Sequence, residues 1–95
     1  MPAYVVTEIE VHDPVRYEGY KKMSSAAVEA FGGRFVIRGG KVETLEGTWA
    51  PKRFVVVEFP SVEQAKAWWS SEMYAPAKKL RNETASSQMI VVEGI

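Results

Sequence analysis

Two arginines are the side chains of this sequence best suited to hold an anionic group. They lie in the stretch RFVIRGGKVETLEG, residues 34–47, at Arg34 and Arg38. Side chains four residues apart point to the same face of a strand, and the planar guanidinium can bind a carboxylate through two parallel hydrogen bonds. We expect both arginines to pair with glutamates of the same sheet face, within one chain or across a dimer interface. The glutamates predicted on that face are Glu8, Glu10, Glu58 and Glu93.

Acid–base chemistry has few candidates. Glu58 is a candidate proton acceptor if burial raises its pKa, and Arg38 is the matching candidate to hold a carboxylate or enolate. The single histidine, His12, comes just before the helix start Asp13-Pro14, so we expect it in an exposed loop or cap. No serine has a base in a recognisable pattern, and the glutamates do not cluster. We therefore predict no catalytic triad, no metal site and no cofactor.

The tryptophans and tyrosines offer a second kind of site. Helical spacing turns Tyr17 and Tyr20 towards the sheet, and only one of Trp68 and Trp69 can face it from the second helix. The simplest interpretation is a hydrophobic core. The alternative is a small-ligand pocket between helices and sheet, with aromatic walls and a few polar groups. The ligand-binding candidates for such a pocket are Tyr17, Arg38, Trp49, Glu58 and Arg81.

Size and charge narrow the classes of function. The chain has 95 residues, which we interpret as one domain over residues 1–95. Twelve acidic residues balance twelve basic ones, which argues against a nucleic-acid-binding protein. There is no cysteine, so neither disulfides nor thiolate sites are expected. We find no signal peptide and no apolar run of about 18 residues, and we expect a cytoplasmic protein without membrane contact.

The strands that position these side chains are indicated by alternation of apolar and polar residues. The segments predicted as strands are 3–11, 34–38, 53–59 and 88–93, with 41–46 as a short continuation after the double glycine.

The helices are indicated by their start and stop signals. Asp13-Pro14 begins the first helix and Gly32-Gly33 ends it. Ser61, with Gln64 three residues later, begins the second. Pro76 either ends that helix or starts a short third one, and 82–87 is predicted as a turn. The order β-α-β-β-α-β predicts an α+β, ferredoxin-like fold with an antiparallel sheet and both helices on one face.

The sheet face without helices, which we call the open face, mixes large apolar side chains with charges of both signs. By strand parity we assign Met89 and Val91 to it, and Ile90 and Val92 to the helix side. An exposed apolar patch of this extent usually marks an interface. We therefore predict a homodimer joined through two open faces. The predicted interface residues are Glu8, Arg34, Val36, Arg38, Phe54 and Val56.

Five stretches carry a resemblance to a known family. They are AYVVTEIEVHDPVRYEGY, FGGRFVIRGG, VETLEGTWAPKRFVVVEFPS, AKAWWSSEMYAPAKKLR and the closing MIVVEG. In this order, over nearly the whole chain, the sequence resembles the small proteins of the DUF1330 family, within the dimeric α/β-barrel superfamily. The resemblance implies a ferredoxin-like monomer that dimerises through its sheet. It implies no reaction, because that family has no established one.

Two functions remain open at this point. The first is a homodimeric domain that binds a small apolar, aromatic or acidic ligand without chemistry, which would leave Arg34, Arg38 and Glu58 in interface pairs. The second is a cofactor-independent monooxygenase or isomerase acting on a small aromatic or keto substrate, with an ionisable group free inside a pocket. Neighbouring families of the superfamily include such enzymes, but fold alone does not choose between the two.

Overall fold

The computed structural model describes residues 1–95 and contains four strands and three helices. The strands are β1 (Ala3–Val11), β2 (Arg34–Arg38), β3 (Arg53–Phe59) and β4 (Ala85–Glu93). The helices are α1 (Pro14–Ala30), α2 (Val62–Trp69) and α3 (Ala75–Thr84). The predicted ferredoxin-like α+β fold is confirmed. Pro76 lies in the first turn of α3, so it starts a third helix and does not only end the second.

The four strands form one antiparallel sheet in the order β2-β3-β1-β4. Burial alternates strictly along the first part of β1, where Val5, Thr7 and Ile9 are buried beneath the helices and the residues between them are not. A period of two is what a strand shows when helices cover only one of its faces. The opposite side of the sheet is therefore an open face, as the sequence predicts.

Local side-chain bonds fix the starts of α1 and α2. The Asp13 carboxylate accepts a hydrogen bond from the Arg16 N–H at 3.2 Å, and the Ser61 hydroxyl accepts one from the Gln64 N–H at 3.1 Å. Each bond satisfies one of the N–H groups that the first turn of a helix leaves without a partner. The Gln64 side chain reaches Phe31 O at 3.0 Å and so links α2 to the end of α1.

A β-bulge in β2 overturns one prediction about its two arginines. Phe35 pairs with Val57, but Val36 and Ile37 together lie opposite Val56, so the register shifts by one residue. A shift of one residue sends every later side chain to the other face. Arg38 therefore lies on the helix side, and the prediction that it shares the open face with Arg34 is wrong.

Strand β4 also has its faces reversed relative to the sequence-based assignment. Val91 pairs with Val5 and Met89 with Thr7, both on the helix side of β1. Ile90 and Val92 are therefore on the open face, where they are exposed. The run MIVV contains no polar residue that would distinguish the two faces. The alternation of side chains therefore could not show which of these residues point towards the helices.

The connections differ from the prediction in two places. Residues 39–52 join β2 to β3 without a strand, so the short strand expected at 41–46 is absent. The turn expected at 82–87 is also absent, because α3 continues to Thr84 and β4 begins at Ala85. There the Thr84 carbonyl accepts hydrogen bonds from the N–H groups of His12 and Asp13, which joins this helix–strand junction to the start of α1.

The core lies between the helices and the sheet, in a space that we call the interlayer. Trp68 is 2% exposed and fills its centre, stacked with Tyr74 at 4.2 Å between ring centroids and with Phe59 at 5.2 Å. Trp69, by contrast, is 47% exposed. This confirms that only one of the two adjacent tryptophans faces the sheet.

Candidate functional site

A chain of polar groups crosses the interlayer. Arg81 Nη1 donates a hydrogen bond to Tyr74 Oη at 2.7 Å, and Tyr74 Oη lies 2.8 Å from Tyr20 Oη. Arg81 is only 6% exposed although it carries a full charge. Burial raises the pKa of Tyr74 well above its ordinary value, and nearby Tyr20 adds to the shift. Tyr74 therefore stays neutral near pH 7 and gives Arg81 a hydrogen bond but no counter-charge.

The other end of this chain is cationic as well. The Tyr17 ring packs on Tyr20 at 5.2 Å, and the Arg53 guanidinium carbon lies 5.7 Å from the Tyr17 ring centroid. Burial raises the pKa of Tyr17, an effect that Arg53 partly opposes. Arg38 lies nearby, with its guanidinium carbon 4.1 Å from the ring centroid of Phe35.

Arg38 ties β2 to α1. Its Nη2 donates to Lys21 O at 3.1 Å and to Ser25 Oγ at 2.8 Å. With Tyr17 and Arg53 it lines a narrow cavity of about 20 Å³, which has room for about one water molecule. We call this space the α1 cavity.

A larger space opens on the opposite side of the interlayer, between α2, α3 and β4. We call it the β4 groove; its volume is about 340 Å³, within the usual range for a small-ligand site. Seven of its eleven lining residues are hydrophobic. Its lining includes Lys66, Trp68, Arg81, Asn82, Met89 and Val91.

Two N–H groups of the groove-lining side chains have no partner. The indole N–H of Trp68 and the Nε–H of Arg81 are both shielded from water, and neither bonds to another atom of the chain. A buried donor left without an acceptor costs roughly 1–3 kcal/mol. The groove therefore has apolar walls, and the two residues with unsatisfied donors, Trp68 and Arg81, are among its lining residues, with those N–H groups covered.

Charge is distributed very unevenly about the interlayer. Neither the α1 cavity nor the β4 groove is lined by an aspartate or a glutamate. The four ion pairs of the chain involve neither Arg38, Arg53 nor Arg81. The cationic residues that line the two spaces are Lys21, Arg38, Arg53, Lys66 and Arg81. In a chain of zero net charge, this clustering favours an anion at the interlayer.

The open face shows the opposite arrangement, because its charges are paired. Arg34 Nε donates to Glu58 at 3.1 Å, which agrees with the predicted pairing of Arg34 with a glutamate of its own sheet face. Glu58 also lies opposite Tyr4 and raises the pKa of that tyrosine. The Trp49 indole N–H donates to Glu8, and the Trp49 ring packs edge-on against Phe54 at 5.9 Å.

The five predicted ligand-binding residues therefore fall into three places. Tyr17 and Arg38 line the α1 cavity, and Arg81 lines the β4 groove. Trp49 and Glu58 lie on the open face, on the other side of the sheet. Glu58 and Arg38 lie on opposite faces of the sheet, so within one chain they do not line a common site.

The ligand-binding candidates selected from the sequence did not include Arg53, Tyr74 or Trp68. The position of Arg53 could have been predicted, because alternation along β3 puts it on the same face as Val55 and Val57, towards the helices. Tyr74 carries no such signal, since it precedes α3 in a connection whose path depends on tertiary packing. His12, as expected, is exposed; its Nε2 lies 2.7 Å from Ser86 Oγ.

Comparison with known families decides the classification. The profile of DUF1330, described as a domain of unknown function, matches residues 2–95. The chain belongs to the DUF1330 family. No curated protein matches this DUF1330 sequence. None of its helices is long and apolar enough to cross a membrane.

Solved structures share the fold of this DUF1330 protein at low sequence identity. A protein of unknown function from Rhodopseudomonas palustris is 20% identical with a TM-score of 0.79, over 99% of this chain and 82% of that one. A dimeric ferredoxin-like protein of unknown function from Jannaschia sp. CCS1 is 9% identical, with a TM-score of 0.73 over 99% and 100%. SnoaB, a cofactor-independent oxygenase from Streptomyces nogalater, is 14% identical, with a TM-score of 0.69 over 99% and 93%. These similarities establish the fold alone.

Proposed function

We propose that this protein is a homodimeric binding domain that holds a small, largely apolar ligand in the β4 groove. The observation that carries the proposal is the groove itself, in which apolar walls meet two buried N–H groups without acceptors. Concave, mostly apolar sites with a few convergent polar groups are the usual form of small-ligand sites. The paired charges of the open face leave that surface for dimer formation, as the sequence predicts.

Native mass spectrometry of freshly purified protein tests the ligand-binding part. We expect the native ion to exceed the mass of the chain by a small increment that disappears when the same sample is denatured. After gentle unfolding and refolding, the protein should bind small aromatic compounds, detected as quenching or enhancement of Trp68 fluorescence. Trp49→Phe and Trp69→Phe variants remove the other two emitters. Absence of both the added mass and any binding by a panel of small aromatics would contradict the proposal.

The homodimer is supported by the apolar side chains that the open face leaves in water. Val36 is 47% exposed and Ile90 is 59% exposed, and Ile37 and Val92 are exposed as well. Two-fold contact of two such faces would cover these groups, and the open-face charges that are already paired within each chain, such as Arg34 with Glu58, would enter the contact without an unpaired charge. Solved relatives of low identity include proteins described as dimeric, one from Jannaschia and one from Bacteroides fragilis.

Analytical ultracentrifugation tests the dimer. The double variant Val36→Glu/Val92→Glu adds two carboxylates at opposite edges of the open face, where both side chains are already half exposed and the monomer tolerates them. We expect a dimer for the parent and a monomer for this variant. The matched control Val15→Glu changes an exposed valine of α1 and should leave the dimer intact. A monomeric parent protein would contradict the proposed assembly.

Cofactor-independent oxygenation is the second candidate, and one observation favours it. Such chemistry needs a deprotonated aromatic or keto substrate, and the cationic interlayer suits an enolate or phenolate. The SnoaB likeness is consistent with that candidate at the level of fold. Against it, neither interlayer space is lined by a carboxylate or histidine that would remove the proton. Protein-dependent oxygen uptake with a readily enolised aromatic ketone would favour the enzyme over the binding domain.

A cytoplasmic location, expected from the sequence, is part of the same proposal. Cell fractionation followed by immunodetection of the chain tests it, and recovery in the membrane or exported fraction would contradict it.

A further inference from the structure

The chemical class of the ligand follows from the surroundings of Arg81. A buried guanidinium without an anionic partner is unfavourable, because water that would solvate the charge is excluded. Arg81 is 6% exposed, and its one side-chain hydrogen bond goes to the neutral hydroxyl of Tyr74. Its neighbour in α3, Glu83, is already paired with Arg16 at 2.7 Å. Nothing in the chain therefore neutralises Arg81.

The two N–H groups without acceptors, one on Arg81 and one on Trp68, are best satisfied by a carboxylate. Arg81 Nε–H and Trp68 Nε1–H both lack acceptors, and both side chains line the β4 groove. A carboxylate has two oxygens and accepts from two donors at once, with bonds about twice as strong as those of a neutral acceptor. A neutral amide or ketone would satisfy one donor and leave the charge of Arg81 without compensation.

The rest of the groove sets the size and the polarity of the ligand. Met89 and Val91 form an apolar wall on β4, and the indole of Trp68 forms another on α2. Lys66 and Asn82 are the exposed polar residues of its lining. No acidic side chain lines the groove that would repel an anion.

We propose that the ligand of the β4 groove is a small carboxylate monoanion. Its carboxylate accepts hydrogen bonds from Arg81 and Trp68 after the side chains that cover these two N–H groups move aside, and its apolar or aromatic body lies against Met89 and Val91. This inference rests on the proposed ligand-binding function and names the class of ligand for that site.

Benzoate and benzamide are the probes, because they share a shape and differ in charge. Binding is followed by the indole N–H resonances in two-dimensional NMR, with the Trp68 signal assigned from its loss in Trp68→Phe. We expect benzoate to shift the Trp68 resonance and to bind at least tenfold more tightly than benzamide. Equal affinities would overturn the anion proposal and leave ligand binding intact. Failure of both probes to bind would overturn both.

Variants of the two donors test their roles separately. Arg81→Met should reduce benzoate affinity to that of benzamide, and Arg81→Lys, which keeps the charge, should restore part of the difference. Trp68→Phe keeps a ring and removes the N–H, so it should weaken benzoate about three- to tenfold and leave benzamide unchanged. Arg34→Met, on an exposed arginine of the open face, is the matched control and should change neither affinity. Folded Arg81→Met that still prefers benzoate would overturn the proposal.

A second copy of the chain is the competing source of the counter-charge. In that case benzoate would be preferred only by the open-face variant Val36→Glu/Val92→Glu, in which the dimer is broken, and the parent dimer would show no preference. That result would overturn the proposal of a free carboxylate ligand.

Discussion

Charged side chains are paired on the open face of the sheet and lack carboxylate partners on its helix side. On the open face, Arg34 is bound to Glu58 and the Trp49 N–H is bound to Glu8. On the helix side, Arg53 and Arg81 are without carboxylate partners and each retains an unbonded Nε–H. Exposed pairs contribute little to stability, whereas unpaired buried charge is unfavourable. The difference supports the proposal that the helix side receives a ligand, whereas Arg34 and Glu8 on the open face already have partners within the chain.

The largest expected effect on stability distinguishes Trp68, on the helix side of the sheet, from Trp49, on the open face. Trp68→Ala should lower the free energy of unfolding by about 3–5 kcal/mol, because it empties the centre of the interlayer. Trp49→Ala should lower it by less than about 1 kcal/mol, since Trp49 is 64% exposed on the open face. Urea denaturation followed by circular dichroism measures both. Equal losses would mean that the open face is as tightly packed as the interlayer.

A second comparison concerns two arginines on opposite faces. In ligand-free protein, Arg81→Met should raise the free energy of unfolding by about 1–2 kcal/mol, because an apolar side chain replaces a buried charge without a counter-ion. Arg34→Met should change it by less than about 0.5 kcal/mol, since Arg34 is exposed. Urea denaturation of both variants tests this. A loss of more than about 2 kcal/mol in Arg81→Met would show that Arg81 is needed for the fold.

Alkaline pH should distinguish a buried tyrosine from an exposed one. The folded pKa of Tyr74 lies above its ordinary value of 10.0, so its contribution to stability is full below pH 10 and is lost as pH rises above it. One such proton changes the free energy of unfolding by up to about 1.4 kcal/mol per pH unit. Tyr74→Phe should flatten the decline measured by urea denaturation between about pH 10 and 11.5. Tyr4→Phe is the open-face comparison: the pKa of Tyr4 is also raised, chiefly by its hydrogen bond to Glu58, but less than that of the buried Tyr74, so it should flatten the decline less. An equal flattening would contradict the effect assigned to burial of Tyr74.

The smallest expected effect concerns two glycines of the 39–52 loop. Gly39 and Gly47 both have positive φ, 72° and 83°, so alanine at either is strained by about 1 kcal/mol. A Cβ at Gly39 would also collide with the Arg53 guanidinium, whereas one at Gly47 meets nothing within 4 Å. Gly39→Ala should therefore be the more destabilising in thermal denaturation. Adding Arg53→Gln to each should reduce that difference, and an unchanged difference would refute the role assigned to Arg53.

The fold was predictable because its signals are local. The Asp13 and Ser61 caps, the alternation of β1 and the apolar run of β3 each depend on a few neighbouring residues. The exposed face of the sheet and the burial of one tryptophan followed from periodicity alone.

The site was only partly predictable, because two one-residue shifts decide which side chains meet. The bulge at Val36 places Arg38 on the helix side of the sheet. In β4 the apolar run has no polar residue from which the face of each side chain could be assigned. Tyr74 enters the site through the position of α3 against α1, which no local pattern encodes. A cluster of cations without carboxylates becomes visible only when distant segments are brought together.

Native mass spectrometry of the parent protein and of Val36→Glu/Val92→Glu, side by side, tests the central claim that the two sides have separate roles. We expect a dimer for the parent and a monomer for the variant, with the same small added mass per chain in both after incubation with benzoate. Loss of the bound benzoate together with the dimer would contradict it, because the site would then belong to the interface and not to the interlayer of one chain.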